Sequence, residues 1–194
     1  MKLLGLTGGI GMGKSTAAQF LRQQGAQVVD TDELARRLVE PGQPALAEIL
    51  AAFGRNIVSA DGQLHRDALA QRVFTDPVAR RQLENILHPR IRECWLAQLE
   101  TWRGQKQSLA VVVIPLLFET QSESHFDKTA CVACSPGNQH HRLLERGWTL
   151  EQIQQRIAAQ WPVAEKMARA DFVVWTDGSL EAHAGQIEQI ITRW

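Results

Sequence analysis

The segment Gly8-Gly9-Ile10-Gly11-Met12-Gly13-Lys14-Ser15 narrows what this chain can fold into more than any other stretch. Its pattern is G-x-x-x-x-G-K-[ST], followed by Thr16. Glycines at this density let a loop curl with its N–H groups turned inward, and a helix beginning at the loop's end adds partial positive charge, so the loop holds phosphate. The flanks fit this reading. Leu3 to Leu6 is a short apolar run halted by Thr7-Gly8-Gly9, which predicts a buried strand, and Lys14 to Gln24 carries Ala17, Ala18 and Leu21 at helical spacing. Gly25 suits the left-handed position that ends a helix. Within the loop Gly9, Ile10, Gly11, Met12, Gly13, Lys14, Ser15 and Thr16 are the expected phosphate contacts. Lys14 offers a point charge to the β- and γ-phosphates, and the Ser15 hydroxyl offers a ligand to Mg2+.

The rest of the chain extends the same architecture. Gln27 to Asp30, Ala110 to Ile114, Thr129 to Ala133 and Phe172 to Trp175 read as further strands, with the second expected beside the loop strand. Between the second and third lies a long stretch of helical periodicity, with helices expected at Pro44 to Phe53, Arg66 to Phe74 and Arg90 to Trp102. A simple crossover needs far fewer residues, so this stretch reads as an inserted substructure suited to an acceptor molecule. Pro136 to Ala170 is a second helical section, with a capping box at Thr149-Leu150-Glu151-Gln152. A final helix is expected over Leu180 to Trp194, packed through Leu180, Ala184, Ile187, Ile191 and Trp194.

Composition sets limits on partners. Lysine plus arginine and aspartate plus glutamate number 21 each in 194 residues, which argues against a general binder of nucleic acid or anionic membrane. Phosphate recognition must therefore be local. The N-terminal apolar run is too short for a secretion signal and no stretch approaches the length of a membrane span, so a cytoplasmic protein is expected, with a monomer favoured. Cys131 and Cys134 have C-x-x-C spacing, but no second pair exists for zinc, and with Cys94 they read as packed or free thiols.

Asp30-Thr31-Asp32 falls at the end of the second strand, the edge where open parallel sheets bind ligands. Two residues apart on extended chain, both carboxylates would share a face. One reading makes an aspartate the acceptor of a hydroxyl proton during phosphoryl transfer; the other makes it the cap of a helix starting near Glu33. Arg142, Arg146, Arg156, Lys166 and Arg169 lie where small phosphate-loop kinases carry a mobile lid. His140-His141 reads as lid surface.

Several segments together resemble the dephospho-coenzyme A kinase family, and the resemblance covers essentially the whole chain. They are Leu6 to Thr16, Asp30-Thr31-Asp32-Glu33-Leu34-Ala35-Arg36 running into Val39-Glu40-Pro41-Gly42, Leu87-His88-Pro89, Pro115-Leu116-Leu117-Phe118-Glu119, and Arg156-Ile157-Ala158-Ala159-Gln160. The resemblance implies a five-stranded parallel phosphate-loop fold like that of nucleoside-monophosphate kinases. It divides into a core (1–33, 110–135, 171–194), a helical acceptor-binding insertion (34–109) and a lid (136–170). It implies transfer of the ATP γ-phosphoryl to the ribose 3′-hydroxyl of dephospho-CoA, with Asp32 as proton acceptor and Asp30 near the metal. Arg142 and Arg146 would serve in the lid, the first toward ATP and the second in catalysis. Arg36, His88 and Glu119 would face the acceptor, with capping of the helix after Pro89 an equal alternative for His88. The chain departs from the family pattern at Met12, where a small residue is common; at Gly147, where aspartate commonly follows the lid arginine; and at Asp177, where asparagine often precedes glycine near the adenine. A kinase for shikimate or a nucleoside monophosphate is the nearest competing reading. A nucleotide switch without kinase activity is the other, although no N-K-x-D segment for reading guanine is present.

Overall fold

The computed structural model describes residues 1–59 and 61–194; Ala60, inside the expected insertion, lies outside the described residues. The chain divides into two compact units, one made of Met1–Asp30 with Thr101–Trp194 and the other of Thr31–Glu100.

In the first unit β1 (Lys2–Gly8) leads through the glycine loop into α1 (Lys14–Gln23). Then follows β2 (Gln27–Asp30), with Gly25 left-handed before it, so that the chain reverses at the one residue type without a Cβ penalty. In the second unit α2 (Thr31–Leu38) follows β2 without a break, and α3 (Pro44–Phe53) and α4 (Arg66–Thr75) come next. α5 (Pro77–Gly104) carries the chain back to the first unit. There β3 (Leu109–Val113), β4 (Lys128–Ala133), α6 (Pro136–Glu145), α7 (Leu150–Ala158), α8 (Val163–Arg169), β5 (Phe172–Trp175) and α9 (Leu180–Arg193) complete it.

All strand pairs are parallel and the sheet order is β2-β3-β1-β4-β5. The expected strands are all present, but β2 does not neighbour the loop strand: β3 pairs with both and separates them. Val111 to Val113 are almost wholly buried, as a central strand covered on both faces must be. Leu6, Ala17, Leu21, Val111, Ala130 and Ile187 belong to one continuous apolar core on a single side of the sheet. The edge strand β5 is blunted at Trp175, whose N–H donates to Gln186 Oε1 at 2.8 Å and whose C=O accepts from Gln186 Nε2 at 2.9 Å.

The second unit has its own core, in which Ile49, Phe53, Ile57, Leu69 and Val73 meet Leu83, Ile86 and Leu87 of α5. Here the sequence expectation of a helix starting at Arg90 is corrected. α5 begins at Pro77 and passes straight through Pro89, so His88 lies mid-helix and caps nothing. A proline inside a helix costs roughly 3 kcal/mol, and packing of the preceding apolar positions offsets that cost. In α9 Ile187, Ile191 and Trp194 of the expected stripe pack in or against the core, but Leu180 is exposed, and His183 and Ile190 are the further buried positions. The capping box at Thr149 is present with both of its reciprocal hydrogen bonds. No helix among the described residues is long and apolar enough to cross a membrane.

Candidate active site

The phosphate loop joins β1 to α1 through two positions that only glycine fits. Gly8 has φ +143°, and a Cβ there would lie 2.2 Å from the carbonyl oxygen of Val132 on the neighbouring strand. Gly13, at φ +96°, is the N-cap of α1 and hands the loop to the helix in a left-handed turn. The Lys14 ammonium donates to the carbonyl oxygens of Gly8 and Gly9, each at 2.9 Å, so it arches back over the loop. Ser15 is exposed in the first turn of α1. Met12 is 3% exposed and packs with Ala133, Cys134, Val163 and Met167. The bulky residue thus fills core space.

A cavity of about 320 Å³ opens beside the loop, lined by Gly11, Gly13 and Thr16 together with Arg142 and Arg146 of the α6 end. Arg142 donates to Thr176 Oγ1 at 2.9 Å and to the Thr176 carbonyl at 2.5 Å. Thr176 Oγ1 in turn donates to the Met12 carbonyl at 3.0 Å, which ties α6 to the loop. Arg146 is the C-cap of α6, followed by left-handed Gly147, and a glycine there closes the helix without strain. Asp177 is not among the residues lining the cavity, although its neighbours Thr176 and Gly178 are. Its carboxylate accepts from the N–H of Ser135 at 2.9 Å and from Asn138 Nδ2 at 2.8 Å; the Asn138 bond is the main cause holding it below the usual carboxylate range.

The five basic residues of the lid region do not form one cluster. Arg142 and Arg146 reach the cavity; Arg156 lies over the Trp148 ring at 4.1 Å, and Arg169 sits 3.6 Å from Glu123. Lys166 is fully buried, pairing with Glu119 Oε1 at 2.7 Å and donating to the Pro115 carbonyl at 2.7 Å. Glu119 Oε1 also accepts the Trp161 N–H at 2.9 Å. Glu119, an expected acceptor contact, is therefore engaged inside the first unit through one oxygen, while its Oε2 is buried without a hydrogen-bond partner among the described residues.

Asp30 ends β2, in register with Val113. The reading that Asp30 and Asp32 share one face of extended chain is corrected, because α2 begins at Thr31 and Asp32 already lies in its first turn. Asp32 is exposed, and Arg36, one helical turn on, shares its side of α2. On α5, His88 lines a groove of about 590 Å³ with Arg92, Leu96 and Glu100. Burial, opposed by Glu84 and supported by Arg92, holds the His88 imidazole below its ordinary pKa.

Four residues of the site were not singled out by the sequence reading: Thr176, Gln139, Gln160 and His183. Gln160 closes the Arg156 to Gln160 segment and Thr176 stands in the Trp175 to Gly178 run near the adenine, both signals without a role for these residues; the other two gave none. His183 is 3% exposed on the cavity wall, meets Phe20 edge-on at 5.2 Å between ring centroids, and has a buried Nε2 without a partner among the described residues. Burial and then the Arg142 charge hold its imidazole below the ordinary value. The unfolded chain takes up this proton near pH 6.5 while the folded state resists it, so stability is full above that pH and is lost as pH falls. We expect the melting temperature to drop between pH 7.5 and 5.5, and His183→Leu to flatten that drop. An unchanged slope in a pH series of melts would show that His183 does not carry it.

Neither buried cysteine is poised for redox or metal chemistry. Burial pushes the Cys131 thiol up to about 11 and raises that of Cys134 as well. Among the described residues no group of three or more His, Cys, Asp or Glu is placed to hold a metal. A hydroxyl such as Ser15 and a carboxylate such as Asp30 are oxygen donors of the kind Mg2+ accepts while it keeps phosphate and water ligands, so the residues present fit that ion.

A glycine loop fed by a central parallel strand, with arginines from a following helix lining the cavity at its side, places the molecule among the P-loop kinases. Shikimate kinase from Acinetobacter baumannii shares that fold, with a TM-score of 0.56 at 14% identity over 100% of this chain and 92% of that one. Residues 2–182 match the family model of dephospho-CoA kinase, and the chain belongs to that family. It is 47% identical to the dephospho-CoA kinase of Anaeromyxobacter dehalogenans, over 98% of this chain and 91% of that protein. Its identity to the dephospho-CoA kinase of Acinetobacter baylyi is 46%, over 93% and 92%. Among solved structures, TT1252 from Thermus thermophilus gives a TM-score of 0.82 at 34% identity, covering 99% of this chain and 97% of that one. Dephospho-CoA kinase from Campylobacter jejuni gives 0.71 at 25% identity, covering 100% and 97%.

Proposed function

We propose that this kinase transfers the γ-phosphoryl group of ATP to the ribose 3′-hydroxyl of dephospho-CoA, giving coenzyme A and ADP. The observation that carries the reading is the phosphate loop with Lys14 at its centre, in a chain that belongs to the dephospho-CoA kinase family. Lys14 and the loop N–H groups hold the β- and γ-phosphates, and Arg142 holds the nucleotide from the lid, residues 136–170. Asp32 takes the hydroxyl proton. Arg36, His88 and Glu119 orient the acceptor, with residues 34–109 as the acceptor-binding part. Ser15 and Asp30 are the groups that would hold Mg2+, which when bound neutralises phosphate charge. A monomer working in the cytoplasm, where ATP is supplied, belongs to the same proposal.

The test is ADP release measured with dephospho-CoA, shikimate and a nucleoside side by side. Turnover is expected with dephospho-CoA alone, and a preference for either other acceptor would overturn the assignment. Arg146 is assigned to the charge that develops on the transferred group. Arg146→Ala should slow turnover on the order of a hundredfold or more, the scale of removing one charge-stabilising group. A change confined to ATP affinity would make Arg146 a binding residue and move the catalytic assignment to Arg142.

A further inference from the structure

The phosphate loop is built from residues that give it little stiffness of its own. Gly8, Gly11 and Gly13 all have positive φ, and each glycine gives up more freedom on ordering than any other residue. Something outside the loop must hold it. Besides the Thr176 bond to the Met12 carbonyl, Ile10 is where this is done: its N–H donates to Gln160 Oε1 at 3.2 Å, and its C=O accepts from Gln139 Nε2 at 2.8 Å. Both polar groups of one loop residue are thus fastened by side-chain amides from the segment between β4 and β5.

Each glutamine is itself fixed. Gln139 is 5% exposed, within α6. Gln160 stands next to Trp161, whose N–H is bound by Glu119 Oε1, and Glu119 is held by the fully buried Lys166. Lys166 and Thr7 Oγ1 donate to the same Pro115 carbonyl, at 2.7 and 3.1 Å, so this anchor reaches β1 just before the loop. A buried ion pair adds little net stability compared with an apolar pair of equal size, and its best-attested use is to fix geometry.

We propose that Gln139 and Gln160 are positioning residues of the phosphate loop. They clamp Ile10 from its two sides, which takes the Ile10 N–H out of the expected set of phosphate contacts, and so preorganise the other loop N–H groups for the terminal phosphates of a nucleoside triphosphate. The Glu119–Lys166 pair sets the second arm of the clamp. This rests on the reading of the chain as an ATP-dependent kinase, and it adds two residues that neither ligate phosphate nor take part in the chemistry.

Calorimetric titration of the full chain with ATP, alongside steady-state turnover, tests it. Gln160→Leu and Gln139→Leu should each weaken ATP binding about fivefold, the weight of one neutral hydrogen bond. The double variant should lose about tenfold, short of the product of the two, because once one arm is gone the other holds a loop already loosened. The KM for dephospho-CoA should stay within about twofold and the melting temperature of Gln160→Leu near that of the wild type, which a general loss of structure would not allow. Wild-type ATP affinity in Gln160→Leu, or effects that multiply fully in the double variant, would overturn the clamp. The Gln160 variant alone decides if substitution of the buried Gln139 prevents folding. A wild-type chain that binds no ATP would sink the kinase reading and the clamp with it; normal binding in the wild type with no change in Gln160→Leu sinks the clamp alone.

Discussion

Lys14→Ala should reduce turnover by about a hundredfold to a thousandfold or more while leaving the fold intact. The ammonium is bound to the carbonyls of Gly8 and Gly9, within the loop itself. A cation held in place before the reaction loses no energy to reorganisation as charge builds on the transferred group, and removing one such group typically costs that factor. The same two hydrogen bonds suggest a competing account in which Lys14 merely ties the loop together. The accounts differ in what ATP does. A structural tie would raise the KM for ATP with kcat recoverable at saturation, whereas loss of a group acting on the transferred phosphoryl lowers kcat even at saturating ATP. ADP release across an ATP series, with melting temperature as the control, separates them. A near-normal rate in Lys14→Ala would remove the loop from the catalytic centre.

The parts of this molecule that could be read along the chain are those fixed by local backbone demands. The strands ended where glycines or turn residues interrupt apolar runs, and the loop could be recognised because Gly8 and Gly13 answer to steric limits that no other residue meets. Gly25 was legible for the same reason. Strand order was not: nothing in the pattern of β2 distinguishes a neighbour of β1 from a neighbour of β3. Nor was the continuity of α5 through Pro89, because that depends on packing in the second unit's core rather than on the proline itself. Leu180 was assigned to a buried stripe by spacing, yet it is exposed on the cavity wall at the start of α9. The supporting residues of the site were hidden for another reason. Gln139 and Gln160 meet Ile10 across separations of 129 and 150 residues, and Thr176 meets Met12 across 164. Glutamine and threonine are ordinary surface residues until the fold brings them to a backbone group, so nothing local marks the partners they will meet. Lys166 is the sharpest instance: counted among the cations of the lid region, it is fully buried and paired with Glu119.

Asp32→Asn should lower kcat by about a hundredfold to ten-thousandfold while ATP still binds. The acceptor hydroxyl must shed its proton as the phosphoryl group arrives, and a carboxylate accepts it where an amide of the same shape does not. Asp32 is exposed in the first turn of α2, directly after the residue that ends β2, and Arg36 one turn later offers a cation on the same side of the helix. Its place in the helix also supplies the competing account. With Glu33 it puts negative charge at a helix N-terminus, which stabilises the helix by itself by about 0.3–1 kcal/mol. If that were all, Asp32→Asn would lower the melting temperature slightly and leave turnover alone. The base account predicts the reverse weighting, a kcat collapse with ATP affinity and melting temperature nearly unchanged. Asp30→Asn provides the internal comparison: if Asp30 serves the metal, that variant should demand more Mg2+ for half-maximal rate and recover at high Mg2+, and Asp32→Asn should not. Turnover against dephospho-CoA across a Mg2+ series, with ATP binding followed by calorimetry, reads all three outcomes, and normal kcat in Asp32→Asn would mean that the proton leaves to another group.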